Sequence, residues 1–268
     1  MKFIVIFLLL FSTTVGAQLI SVKPLETCLA CSSEPTLTLY TQGKDSKVVL
    51  VFIPGGDGYL DLKKFQDTEP APRQINRSPF AQGLARLADA NLTSGKIDVV
   101  YLDSPSALSP NQKYPSARGY FDHMIRIESV IRYYNEKTGL PVWLMGHSNG
   151  GISLTEFFKY AKKNNKADLI SGIVASAIRS ESYFDAPITF PVLFMHHEKD
   201  GCSETKPDDS FENYQKVKAT SKFPTEFVYV TGGSAEARNP CSSGTHMYYG
   251  ASQEFAKNIE NFILKIYP

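Results

Sequence analysis

Apolar residues in this chain form short continuous runs that alternate with segments in which they recur every three or four positions. The runs are rich in β-branched and aromatic residues, which is typical of strands buried on both faces of a sheet. The recurring segments have one apolar stripe, as amphipathic helices do. The runs that predict strands are residues 36–40, 48–53, 97–102, 141–145, 170–177, 191–196 and 226–230. The segments that predict helices are residues 80–92, 120–135, 152–162, 211–219 and 254–266.

The alternation of strands with helices predicts a single α/β domain with a mainly parallel central sheet and helices on both faces. Residues 36–40 alternate between polar and apolar side chains and predict a strand at the edge of the sheet. Residues 60–78 are polar and rich in proline, and their length predicts a cap or a cleft wall. Ligands of such sheets bind beyond the carboxyl ends of the strands, so the chemistry of this chain is expected there.

One strand end carries the pattern Gly-x-Ser-x-Gly. The apolar run 141–145 leads into Gly146, Ser148 and Gly150, and a predicted helix follows. A sharp turn that presents the Ser148 hydroxyl forces an unfavourable backbone there, and the two glycines remove side chains that would clash. The helix aims its free N–H groups at a developing oxyanion. The pattern alone also fits a glycine-rich turn with a solvated serine, but its place between strand and helix predicts a nucleophile.

A serine hydroxyl needs a base to take its proton, and the chain has five histidines. His246 lies in a glycine- and serine-rich loop after the last predicted strand and is the predicted base. His147 adjoins the nucleophile, and the backbone direction is expected to turn it away from the base position. His123 falls on a predicted helix, where a partly exposed or hydrogen-bonded side chain is expected. His196 and His197 end a strand, where they line a pocket or pack as structural residues.

The acid that orients the base should also follow a strand of the sheet. Asp200 lies in the loop beyond the apolar run 191–196 and is the predicted acid. Glu198 and Asp208 are weaker alternatives, and an aspartate before a glycine is also common in plain turns. The resulting order along the chain is nucleophile, acid and then base.

Two backbone N–H groups are needed to hold the oxyanion. One is expected from Asn149, the residue after the nucleophile. The other is expected from the glycine-rich turn after the run 48–53, where Gly56 and Asp57 are chosen because the glycines let the backbone approach a substrate. Losing one such donor costs roughly 3–4 kcal/mol of transition-state stabilisation.

Composition and the N-terminal residues indicate the setting of this domain. Residues 1–17 have the features of a cleavable export signal: Lys2, an apolar run at 3–11 that is too short to cross a bilayer, and small residues before Gln18. Residues 18–268 fit one domain, since 43% of the chain is hydrophobic. The formal net charge is +1 and no basic stripe stands out, which argues against a nucleic-acid partner. We expect an exported protein, periplasmic or secreted, without a transmembrane segment once the signal is removed.

Four cysteines, an even number in a chain expected to be exported, predict disulfides. If the predicted acid holds the predicted base, the loops that carry Cys202 and Cys241 touch, so we predict a bond between these two cysteines. Closing a loop of this size stabilises by roughly 4 kcal/mol. Cys28 and Cys31 remain as a second pair, either a local disulfide or two idle thiols. A redox motif there would need a strand–helix junction, and a zinc site would need two further ligands.

From residue 48 onwards the chain resembles the α/β-hydrolase superfamily, and more narrowly a group of mostly uncharacterised exported bacterial α/β hydrolases. The resemblance implies that the superfamily's nucleophile, acid and base fall on Ser148, Asp200 and His246, and it implies no metal or organic cofactor. Met247 follows the base where the commoner pattern has a glycine, which affects the shape of the pocket. The narrower likeness lies in FIPGGDG (52–58), DSP (103–105), PVWL (141–144), HHEKDGC (196–202) and NPC (239–241).

These residues predict a serine hydrolase that transfers an acyl group to water and acts on a small-molecule or acyl substrate. Cleavage of a carboxylic ester or thioester is the first expectation, because an alcohol or thiol leaves more easily than an amine. A peptidase or amidase with the same triad is the second. A non-catalytic binding protein of the same fold is the third, and an intact triad argues against it.

Overall fold

The computed structural model describes residues 17–26, 33–65, 94–104, 116–185, 187–234, 239–242 and 244–268. The apolar run 3–11 of the predicted signal, the predicted helix 80–92 and the pair Cys28 and Cys31 lie outside these residues. Of the predicted cap or cleft wall, only residues 60–65 are described, and they include a short 3₁₀-helix.

The described residues contain every strand and helix that the sequence predicts within them. The largest shift is at the start of the helix predicted at residues 211–219, which begins at Pro207. Proline is favoured at a first helical position because its ring presets φ, and Asp208 and Asp209 suit the positive end of the helix dipole. The strands are β1 (Ala17–Val22), β2 (Thr36–Thr41), β3 (Val48–Ile53), β4 (Ile97–Leu102), β5 (Val142–His147), β6 (Gly172–Ser176), β7 (Val192–His197) and β8 (Thr225–Val230). The helices are α1 (Phe121–Thr138), α2 (Gly150–Lys163), α3 (Pro207–Thr220) and α4 (Ser252–Ile266).

The strands form one sheet in the order β1-β2-β4-β3-β5-β6-β7-β8. Neighbours from β4 to β8 are parallel, whereas β1 pairs antiparallel with β2 and β2 pairs antiparallel with β4. The predicted α/β class with a mainly parallel sheet is therefore confirmed. The placement of residues 36–40 at the edge is wrong, because β1 covers β2 from the pair Ala17↔Thr41 to the pair Val22↔Thr36.

Each face of the sheet has its own apolar core, and β3 contributes to both. Val49 and Val51 point into a core shared with α1, α2 and α3, whereas Leu50 points into a core shared with α4. On the α4 side, Phe262 packs edge-on against Trp143 with ring centroids 5.9 Å apart. Burying one such side chain stabilises the fold by about 1.5–3 kcal/mol. Packing on both faces fixes the central strands in place. It therefore also fixes the position of the loops at their carboxyl ends.

Those loops carry the predicted chemistry, since β3 leads to the glycine-rich turn, β5 to Ser148 and β7 to Asp200. None of the helices in the described ranges is long and apolar enough to cross a membrane.

Candidate active site

Ser148 lies in a strained turn between β5 and α2. Its φ is +53°, a left-handed conformation that a non-glycine residue adopts only when its surroundings enforce it. The N–H of Ser148 donates to the carbonyl oxygen of Ser176 at the end of β6, at 3.1 Å. The residue is half-buried, so its hydroxyl lies at the sheet's carboxyl edge within reach of solvent.

The glycines on both sides of Ser148 allow the strand and helix to approach each other. A Cβ on Gly146 would collide with the carbonyl oxygen of Gly150 and with Leu154. A Cβ on Gly150 would collide with the carbonyl oxygen of Ile53 at the end of β3. The prediction that these two glycines avoid clashes at the turn is confirmed.

Asp200 and His246, the predicted acid and base, are in direct contact. Asp200 follows β7, and His246 lies in a 3₁₀-helix at Gly244–Met247 after β8. Oδ2 of Asp200 is 2.8 Å from Nδ1 of His246, and both side chains are fully buried. Nε2 of His246 has no hydrogen-bond partner in the described part of the chain. With Nδ1–H bound to the carboxylate, the neutral ring has its acceptor at Nε2.

The carboxylate of Asp200 receives more than one donor. Oδ2 is 2.8 Å from Nε2 of His196 and accepts from the hydroxyl of Thr205 at 3.1 Å. Oδ1 accepts from the N–H of Cys202 at 2.9 Å. Burial raises the pKa of Asp200, but the hydrogen bonds from His196 and His246 outweigh it and hold the pKa well below its usual range. Asp200 is therefore ionised at neutral pH.

Neither alternative acid is hydrogen-bonded to His246 within the described residues. Glu198 is exposed and pairs with its neighbour Lys199 at 3.5 Å, and Asp208 is exposed in the first turn of α3.

A disulfide joins Cys202 to Cys241, as predicted. The two loops that it links are the ones that carry Asp200 and His246. A hydrogen bond of 2.7 Å from the hydroxyl of Thr245 to the carbonyl oxygen of Lys199 lies between the same loops. The acid and base loops are therefore held together by covalent and polar contacts.

The nucleophile and base candidates are neighbours without a direct bond. The ring of His147, the residue before Ser148, lies 4.9 Å from the ring of His246. No hydrogen bond joins Ser148 Oγ to His246 within the described residues, and such bonds are often long before a substrate is bound. The structure thus joins Asp200 to His246 and places the ring of His246 against that of His147, the residue before Ser148.

The predicted oxyanion donors lie in two places: Asn149 directly follows Ser148, and Gly56 and Asp57 lie in the turn after β3. A Cβ on Gly55 would be 3.0 Å from the Cβ of Ser148, so the turn after β3 packs directly against the nucleophile candidate. Gly56 has a φ of +54° and open space where a Cβ would be. Its carbonyl oxygen accepts from the side-chain Nδ2 of Asn149 at 3.0 Å. The backbone N–H groups of Asn149, Gly56 and Asp57 make no hydrogen bond to another described residue.

Solved structures with the same architecture include a dienelactone hydrolase and a serine hydrolase by their own descriptions. A dienelactone hydrolase from Anabaena variabilis aligns with a TM-score of 0.59 at 10% identity, covering 93% of this chain and 97% of that one. Est1E from Butyrivibrio proteoclasticus aligns with a TM-score of 0.56 at 13% identity, covering 93% and 98%. A serine hydrolase without a lid from Xanthomonas campestris aligns with a TM-score of 0.56 at 10% identity, covering 94% and 95%.

The chain has the α/β-hydrolase fold. No protein-family model and no curated protein matches it. At the identities of these structural neighbours the likeness concerns the fold, and the fold predicted from the sequence is confirmed.

The α/β-hydrolase fold of this chain includes a buried arginine at the site that the sequence did not indicate. Arg118 lies in a 3₁₀-helix at Ser116–Gly119 just before α1 and is 4% exposed. One of its terminal nitrogens donates to the carbonyl oxygens of Pro54, Gly55 and Gly56 at 2.8, 3.3 and 3.0 Å. Burial lowers the pKa of Arg118 to about 9, so the guanidinium stays charged at neutral pH.

A buried serine and histidine support that arginine. The other terminal nitrogen of Arg118 donates to Oγ of Ser153 on α2 at 2.9 Å, and Ser153 Oγ is 2.8 Å from Nε2 of His123. Burial, with the charges of Arg118 and Arg126, lowers the pKa of His123 to about 3, so the ring is neutral. His123 is hydrogen-bonded, as one of the two expectations for it stated.

His147 departs from its prediction, because its ring is not turned away from the base. The ring contacts that of His246, and its Nδ1 is 3.0 Å from Oγ of Ser176. Ser176 is in turn 3.0 Å from the hydroxyl of Tyr248. Burial lowers the pKa of His147 well below its usual range, so this ring is uncharged. It packs against the ring of His246, the predicted base.

The two histidines that end β7 have different partners. His196 contacts the carboxylate of Asp200, four residues along the chain, and so belongs to the polar group around the acid. His197 packs as a structural residue, with Nε2 2.7 Å from the carbonyl oxygen of Gly232 and Nδ1 accepting from the N–H of Lys199.

The segment beyond the oxyanion turn is held by Asp103, which directly follows β4. Its carboxylate accepts from the N–H groups of Leu60 and Leu62 at 2.5 and 2.8 Å. Burial raises the pKa of Asp103 to about 7, and the two backbone hydrogen bonds oppose that shift. These contacts fix the described start of the predicted cap or cleft wall.

Proposed function

We propose that this chain is a serine hydrolase that cleaves carboxylic esters or thioesters through an acyl-enzyme on Ser148. The observation that carries the proposal is the strained Ser148 turn beside a fully buried Asp200–His246 pair whose Nε2 has no hydrogen-bond partner in the described part of the chain. Structural neighbours described as a dienelactone hydrolase, a serine hydrolase and esterases support it.

In this mechanism Oγ of Ser148 attacks the substrate carbonyl while Nε2 of His246 takes its proton. Asp200 keeps the ring of His246 in the required tautomer and stabilises the imidazolium that forms. The carbonyl oxygen becomes an oxyanion, which the N–H groups of Asn149 and of the Gly56–Asp57 turn stabilise.

The intermediate then collapses, and His246 returns the proton to the leaving alcohol or thiol. An acyl group remains on Ser148. His246 next takes a proton from water as its oxygen attacks the acyl carbonyl. When this second intermediate collapses, the bond to Oγ breaks, His246 returns the proton to Ser148, and the acid is released. The mechanism requires no metal or organic cofactor.

The same proposal includes export, with cleavage before Gln18. The disulfide between Cys202 and Cys241 supports an oxidising compartment, where such bonds persist. Cleavage there would remove only Ala17 from β1 and leave Gln18 to Val22 paired with β2. N-terminal sequencing of protein recovered from outside the cytoplasm tests this part, and an N-terminus that retains residues 1–17 would contradict it.

Covalent labelling tests the proposed nucleophile. A fluorophosphonate should modify wild-type protein on Ser148, and p-nitrophenyl esters of short acids should be hydrolysed. Ser148→Ala should lose labelling, and its kcat should fall by a factor on the order of 10⁶.

Ser94 offers a matched control, since it is also a serine at positive φ, 47°, in the turn before β4. Ser94→Ala should keep both labelling and turnover. Equal turnover by wild type and Ser148→Ala would overturn the proposal, and faster cleavage of a matched anilide than of the ester would favour an amidase.

A further inference from the structure

Arg118 donates hydrogen bonds to backbone carbonyl oxygens of the turn that carries the proposed oxyanion donors. One guanidinium nitrogen lies within 3.3 Å of the three successive carbonyl oxygens of Pro54, Gly55 and Gly56. The other is fixed by Ser153 on α2. The guanidinium is thus set by α2, the same helix that begins directly after Ser148.

The direction of these carbonyls determines the direction of the N–H groups. In a trans peptide the C=O of one residue and the N–H of the next point in opposite directions. The carbonyls of Gly55 and Gly56 point at Arg118, so the N–H groups of Gly56 and Asp57 point away from it. Those two groups are the candidates for the donor that the mechanism needs from this turn, and neither is hydrogen-bonded to another described residue.

The turn is also close enough to Ser148 for this direction to matter. Gly55 packs on Ser148, and the side-chain Nδ2 of Asn149 also donates to the carbonyl oxygen of Gly56. A buried cation at the carbonyl end of these peptides favours negative charge at the N–H end, because it polarises the peptide dipoles in that direction. A lysine could not replace it, since one ammonium lacks the planar fork that reaches three carbonyls and Ser153 together.

We propose that Arg118 is a positioning residue for the oxyanion site: it touches no substrate, and it presents the N–H groups of Gly56 and Asp57 to the developing charge. The inference rests on the proposed hydrolase function. It adds that transition-state stabilisation at this site depends on a buried arginine outside the triad.

The test compares Arg118→Lys and Arg118→Met with wild type in ester hydrolysis and in inhibition by a trifluoromethyl ketone. This inhibitor adds to the nucleophile and forms an oxyanion, so its Ki reports the same donors. In both variants kcat should fall about a hundredfold, in the range for loss of one oxyanion donor, while KM changes by less than about threefold. Ki for the ketone should rise in parallel with the loss of kcat/KM.

Arg126 is the matched control, because it is also fully buried and donates to a backbone carbonyl, that of Glu34, but lies on α1 away from the turn. Arg126→Lys should leave kcat and Ki within about twofold of wild type, since it touches no reacting group. If Arg118→Met fails to fold, Ser153→Ala is the alternative variant, because it removes the hydrogen bond that holds one end of the guanidinium. That variant should lose about tenfold in kcat, less than loss of a whole donor.

Unchanged kcat and Ki in Arg118→Lys would overturn the inference. Equal losses in Arg118→Lys and Arg126→Lys would also overturn it, because they would indicate a general structural role. A wild-type protein that neither hydrolyses esters nor reacts with fluorophosphonate would instead refute the proposed function, so the two failures are distinct.

Discussion

On one side of Ser148 the turn at residues 54–57 is held by one buried cation, whereas on the other side the loops of Asp200 and His246 are joined by a covalent bond. In the proposed mechanism the turn must offer N–H groups in a set direction, and hydrogen bonds to its carbonyls control that direction. The acid and base loops must stay at a set distance, which a disulfide controls, while the Asp200–His246 bond supplies the orientation. The comparison indicates that each side of the candidate site is held by the kind of contact that the proposed chemistry needs.

The largest effect is expected from removing the charge of the acid. Asp200→Asn keeps the shape of the side chain but leaves His246 without a carboxylate to fix its tautomer, so kcat should fall by a factor on the order of 10⁴. Steady-state ester hydrolysis measures the loss. Glu198→Gln, which changes an exposed acid on the same loop, should keep wild-type kcat, and a comparable loss there would reassign the acid.

Next in size is the covalent link itself. Replacing both Cys202 and Cys241 by serine opens a bond between residues 39 apart, which should lower the free energy of unfolding by about 4 kcal/mol. Urea denaturation measures the change. The folded fraction should keep more activity than Asp200→Asn does, and a reductant should weaken wild type without affecting the double variant. If the reductant also destabilised the double variant, the sensitivity to reductant would not come from the bond between Cys202 and Cys241.

The smallest effect is expected from the second histidine on the acid. His196→Leu removes one hydrogen bond to Asp200, so the pKa of Asp200 should rise and the free energy of unfolding at neutral pH should fall by about 2 kcal/mol. A depressed carboxylate pKa stabilises the fold above the unfolded pKa of about 3.9, and this contribution is lost as pH falls further. The difference from wild type should therefore shrink in urea denaturation below about pH 4.

His197→Leu is its control, because His197 binds a backbone carbonyl instead of a carboxylate. The difference between this variant and wild type should not follow the ionisation of Asp200. If both leucine variants show the same pH dependence, His196 has no special effect on the acid.

Sequence patterns predicted the parts of this molecule that repeat locally. Continuous apolar runs such as Val48–Ile53 predict buried strands. The ends of these predicted strands indicated where the candidate nucleophile, acid and base lie. β1 was hidden because its residues adjoin the predicted signal, and without β1 the next strand was placed at the edge. Arg118 was hidden for another reason. Its proposed role depends on carbonyl groups 62 to 64 residues away in the chain. The pattern of side chains in a sequence does not predict the direction of a backbone carbonyl. The contact of His196 with Asp200 is local, four residues apart, and could have been anticipated from the shared loop.

The covering of one sheet face by α4 has a consequence for how the protein is made. β3 and β5 leave the ribosome long before α4, and until then Leu50 and Trp143 lack the cover of Phe255 and Phe262. Transiently exposed apolar surface of this kind is prone to aggregation and is what chaperones protect. For a chain that is exported as proposed, late completion of this core favours translocation, because the polypeptide stays open while it crosses the membrane.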